Sequence, residues 1–101
     1  MTQPNRLTPD PDEAVQKYYD FLNTEYMHRV WVTYPQFQSF HEAFNEVIRE
    51  VGRENDALVI DLDRAIPKGE RYMYDPYNLT EAGSELVAEV ISEQLRAYRE
   101  K

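Results

Sequence analysis

The chain has 101 residues, a net charge of −8 and no cysteine, and 42% of its residues are hydrophobic. This length suits one domain, and the missing thiols exclude disulfides, thiolate metal sites and a cysteine nucleophile. The acidic balance opposes nucleic acids and anionic membranes, and no apolar run approaches the ~18 residues of a membrane span, so we expect neither partner.

Residues 1–10 are polar and predict a flexible lead-in, with the domain over residues 11–101. The start Met1–Arg6 does not read as a signal peptide, so we expect a cytoplasmic protein. Asp10, Pro11 and Glu13 fit the start of a helix. Apolar residues at helical spacing then predict a helix over about 11–26 (Val15, Tyr18, Tyr19, Leu22 and Tyr26).

Two strands and two further helices follow. The run Arg29–Tyr34 is β-branched and aromatic and stops at Pro35, which predicts a strand. Ser39 and Glu42 form a capping-box pattern before a helical apolar face, and the run Ala57–Leu62 predicts a second buried strand. Thr80 begins a last helix over about 81–99. The apolar face of the helix between the two predicted strands comprises Phe40, Ala43, Phe44, Val47, Ile48 and Val51.

The predicted fold class is therefore α/β, in the order α-β-α-β-α, with two parallel strands joined by a right-handed crossover. It corresponds to part of a flavodoxin-like, three-layer α/β/α arrangement. A sheet of only two strands has two open edges, although both of these strands are apolar enough to be buried on both faces. Parallel sheets normally form larger layers covered by helices. We expect further strands to come from a missing part of the chain or from another subunit.

The loop after the second strand holds the chemically suggestive residues, since sites in open parallel sheets gather at the carboxyl ends of strands. It contains Asp75-Pro76-Tyr77-Asn78 and then Leu79-Thr80-Glu81-Ala82-Gly83, ahead of the last helix. With Ile60-Asp61-Leu62 before it, this run resembles the C-terminal unit of SGNH (GDSL-type) ester hydrolases. The resemblance implies the C-terminal half of that fold.

In that family the loop carries Asp-x-x-His, two members of a Ser-His-Asp triad. Asp75 matches the carboxylate, whereas Asn78 stands at the histidine position and cannot serve as a general base. The three glycines do not precede a serine in the Gly-Asp-Ser pattern, so nucleophile and oxyanion hole are also missing. The resemblance implies a truncated or degenerate hydrolase, a pseudoenzyme that is inactive alone.

Other residues have both a functional and a structural reading. Tyr74 and Tyr77, with Tyr72, either stack on the sugar of an acylated carbohydrate or pack the loop onto the last helix. Asp75 is a relict triad carboxylate or the start of a turn. Asp61 and Asp63 either hold a cation or have a structural or solvated role; we expect no metal and no cofactor. His28 and His41 are the alternative bases, and Asn78 also begins a glycosylation sequon.

Two functions follow from these patterns. The first is the hydrolase half just described, which in complete form cleaves carboxylic esters or O-acetyl groups on carbohydrates. The second is a non-catalytic interaction module that forms a homodimer, or binds a partner or a missing N-terminal half, through the open sheet edge at Val30–Tyr34.

Overall fold

The computed structural model describes residues 1–25 and 32–100 and is helical throughout its regular elements. Four helices occur in this part of the chain: α1 (Glu13–Glu25), α2 (Tyr34–Glu54), the short α3 (Leu62–Ala65) and α4 (Glu81–Arg99). No strand occurs among the described residues, and the only β-type pairing there is an isolated antiparallel bridge between Met73 and Leu79. The predicted α/β class with a parallel sheet is therefore wrong.

The first predicted strand, Arg29–Tyr34, ends where helix α2 begins. Residues 29–31 lie outside the described part, Val32 is not in a strand, and Tyr34 is already helical. Thr33 caps α2: its side chain accepts a hydrogen bond from the backbone N–H of Gln36, whose side chain accepts from the backbone of Thr33. Pro35 sits in the first turn, where its missing N–H costs nothing, so it starts a helix instead of stopping a strand. The predicted capping box at Ser39 lies inside α2.

The second predicted strand is an extended connection. Residues 57–61 follow α2 without a neighbouring strand, and Leu62 begins α3, which is capped by the side chain of Asp61. Ile60 is buried whereas Leu58 is exposed. A short apolar run of this kind does not by itself distinguish a strand from other buried segments.

Helices α1 and α4 agree with the predicted ranges. Asp12, not Asp10, accepts a hydrogen bond from the backbone N–H of Val15 in the first turn of α1. Thr80 caps α4 by accepting from the backbone N–H of Gly83. No described helix is long and apolar enough to cross a membrane.

Among the described residues, the buried apolar side chains form two small core clusters. One joins the N-terminal segment to α1 and α2, and the other joins residues 60–66 to α4. The buried members are Leu7, Val15, Tyr19, Tyr34 and Phe37 in the first, and Ile60, Leu62 and Ile66 in the second. The radius of gyration, 15.3 Å, exceeds the ~13 Å typical of a 100-residue domain, so the chain is extended for its length.

The segment 1–10, expected to be a flexible lead-in, runs between these clusters. The backbone N–H of Thr2 donates to the Ile60 carbonyl and that of Arg6 donates to the Pro76 carbonyl. Both side chains are buried, and the Arg6 guanidinium donates to the Met73 carbonyl and pairs with Asp12. The segment therefore connects distant parts of the fold, while the domain boundary at residue 10 stays a prediction.

Candidate functional site

The structure brings Asp75 and Asn78 together in a self-contained turn. One Asp75 carboxylate oxygen accepts from the backbone N–H groups of Tyr77 and Asn78, both at 2.9 Å, and the other accepts from Asn78 Nδ2 at 2.8 Å. Burial opposes ionisation of Asp75, but these donors outweigh it and lower the pKa of its carboxyl. These three hydrogen bonds hold the Asp75 carboxylate within the turn.

Tyr77 faces α1 and α2, not the last helix. Its hydroxyl lies 2.8 Å from His41 Nε2, and its ring makes an edge contact with Tyr18 at a centroid distance of 5.6 Å and another with Phe37 at 6.2 Å. The other two tyrosines differ: Tyr72 packs against the cluster beside α4, and Tyr74 is exposed. Tyr77 therefore packs on α1 and α2, whereas Tyr72 packs against the second core cluster.

The pair His41–Tyr77 was not predicted, and it is neutral at pH 7. Burial, with a contribution from Lys68, lowers the pKa of His41 below its ordinary value, and burial raises the pKa of Tyr77. A neutral phenol and a neutral imidazole satisfy each other with one hydrogen bond in this aromatic setting. Residue 28, the other alternative base, lies outside the described residues.

A second, larger polar cluster surrounds Arg49 on α2. Its guanidinium donates from Nε to Asp61 at 2.8 Å, from one terminal nitrogen to Asp61 at 3.1 Å and Asp63 at 3.0 Å, and from the other to Glu46 at 3.2 Å. Asp61 also accepts from the Thr2 hydroxyl at 2.8 Å. Hydrogen bonds from Arg49, then Thr2, outweigh burial and lower the pKa of Asp61 to about 2. The two carboxylates therefore serve an ion-pair network.

A cleft of about 430 Å³ lies next to this network. Three arginines line it, but Arg49 and Arg64 pair with Asp61, and Arg53 pairs with Glu46. No group of three or more acidic, histidine or cysteine side chains in the described part of the chain is arranged to hold a metal ion. The charges around this cleft are largely matched by opposite charges.

The most conspicuous surface feature is an apolar face of α2, which we call the outer face. Its members recur at positions i, i+4, i+7 and i+11 and keep half or more of their surface exposed: Phe40 (69%), Phe44 (54%), Val47 (56%) and Val51 (51%). Helical geometry places them within about 60° of one another around the axis. Together they expose roughly 400 Å² of apolar surface, the size of patch that often marks a binding site.

The rest of the fold holds α2 by a different face. Phe37 packs in the first core cluster, Asn45 exchanges hydrogen bonds with the backbone of Gln3, Arg49 binds the Asp61 region, and Gly52 lies against Val59. Phe37 lies within about 20° of Phe44 around the helix axis, whereas Asn45, Arg49 and Gly52 are centred roughly 140° from the outer face. The fold therefore fixes α2 while leaving its most apolar side exposed.

Comparison with known proteins gives no relative. No family model matches the chain, and neither a curated protein nor a solved structure matches it. The helical fold, with no sheet in the described part of the chain, contradicts the resemblance to SGNH hydrolases, so that assignment is wrong. The matching residues have local explanations, since Thr80 is the cap of α4 and Gly83 lets the helix approach the Tyr72 carbonyl.

Proposed function

We propose that this chain is a non-catalytic interaction module that binds a protein helix on the outer face of α2. The single observation that carries the proposal is the exposed apolar row Phe40, Phe44, Val47 and Val51. The spacing of this row is that of alternating a and d positions in a heptad, which presents side chains to a second helix. An apolar helix face of this kind gains free energy when it is covered.

Two further observations support a protein partner. The anchors at Asn45 and Arg49 hold α2 in place, so little ordering of the helix is needed on binding. The net charge of −8 opposes an anionic lipid surface, which is the other environment that covers apolar helix faces. We therefore assign the interaction surface to this helix face and not to the open sheet edge expected from the sequence.

The test measures whether the outer face is covered where the protein works. Because the chain has no cysteine, Val47→Cys introduces a single thiol on this face. We expect a membrane-permeant maleimide to modify it in cells at least ~10-fold more slowly than Ser92→Cys, a control on exposed α4 surface. In dilute purified protein the two thiols should react at rates within about threefold of each other. Equal reactivity in cells would contradict the proposal.

A further inference from the structure

The outer face is complementary to itself. We infer that its occupant is a second copy of this chain, with the two α2 helices antiparallel; this inference rests on the proposed function. A two-fold axis between Asn45 and Glu46 places Phe40 opposite Val51 of the second copy and Phe44 opposite its Val47. Each of the four resulting layers pairs a large side chain with a small one, and each pairing recurs across the axis, as an isologous interface requires.

The parallel alternative fits less well. In register, it would put Phe against Phe in two layers and Val against Val in the other two, so the distance between the helices would have to change along the contact. Close packing favours layers of even volume, and alternating large and small residues achieve this. The order of residues on the outer face therefore favours the antiparallel arrangement.

The surface area of the chain leaves room for a dimer interface. Its accessible surface is 7064 Å², whereas a folded monomer of this mass typically exposes roughly 6,000 Å². The excess is similar to the ~800 Å² that each partner buries in an interface of ordinary size. The outer face supplies about half of that area, and neighbouring side chains on α2 must supply the rest.

The test uses pairs of single-cysteine variants mixed under a thiol–disulfide buffer. With Phe44→Cys and Val47→Cys, we expect the mixed 44–47 disulfide to be at least about threefold more abundant than random pairing gives, because only that pair is brought together. Phe40→Cys with Val51→Cys tests the same register without altering the central layers. The control variant Ser92→Cys, mixed with either variant in the same way, should form mixed disulfides only at the random level. Mass spectrometry of the unreduced chains identifies each product.

The outcomes separate the two proposals. Excess 44–44 and 47–47 disulfides would overturn the antiparallel arrangement. Random or absent crosslinking, with Val47→Cys still protected in cells, would overturn the second copy as occupant and leave the interaction module standing. Loss of both the crosslink and the protection would remove both proposals.

Discussion

Substitution of Asp61 tests whether the Arg49 network holds α2 in place. The pKa of Asp61 is lowered from 3.8 to about 2, chiefly by hydrogen bonds from Arg49. A carboxyl with a lowered folded-state pKa stabilises the fold above its unfolded-state pKa and loses that contribution as pH falls through its folded value. The shift corresponds to about 2 kcal/mol at pH 7 and about 1 kcal/mol at pH 3. The Asp61 side chain is only 24% exposed, so solvent screening reduces this contribution modestly.

The assay is urea unfolding of the wild type and Asp61→Asn between pH 7 and pH 3. We expect the variant to lose about 2 kcal/mol of unfolding free energy at pH 7 and a smaller amount at pH 3, because protonation progressively removes the same interaction from the wild type. Asp56→Asn, the same change at an exposed turn, should change stability by less than about 0.5 kcal/mol. An Asp61→Asn loss that is equal at both pH values, or no larger than that of the control, would refute the reasoning.

Two further substitutions probe other contacts. Gly83→Ala would place a Cβ 2.0 Å from the Tyr72 carbonyl oxygen, so urea unfolding should show a loss of about 2 kcal/mol or more in unfolding free energy. The control Ser84→Ala, on the same turn, should lose almost none. Equal losses in the two variants would refute the close approach. Because the pKa of the partly buried His41 is lowered, the unfolded chain binds a proton first as pH falls below about 6.5, and stability should decline. His41→Gln should flatten this decline, and an unchanged pH profile would show that another group causes it.

The sequence predicted the helices better than the strands. Helices α1 and α4 follow from apolar spacing and, for α4, from Thr80 as the cap. The strand assignments were wrong where local signals had two meanings: Pro35 was read as a stop but sits in the first turn of α2. The run at residues 57–62 is apolar enough for a strand, yet in the described part of the chain it has no strand to pair with.

The candidate site was predictable only in part. The Asp75–Asn78 turn follows from the preference of Asp for accepting local backbone hydrogen bonds. The apolar spacing of α2 was visible, but its exposure was not, because periodicity shows which residues share a face and not what covers it. Tyr77 lies 36 residues from His41 and Asp61 lies 12 residues from Arg49, and such pairings depend on the tertiary fold.

Sedimentation velocity over a range of protein concentrations tests the central claim most directly. At physiological salt we predict that the wild-type mass rises with concentration from the 12.0 kDa of one chain towards twice that value. Val47→Glu, which places a charge in the middle of the outer face, should remain a monomer. Ala88→Glu, which introduces the same charge at an exposed position on α4, should behave as the wild type does. A wild type that stays monomeric at every concentration, or a Val47→Glu variant that associates equally well, would contradict self-association through α2.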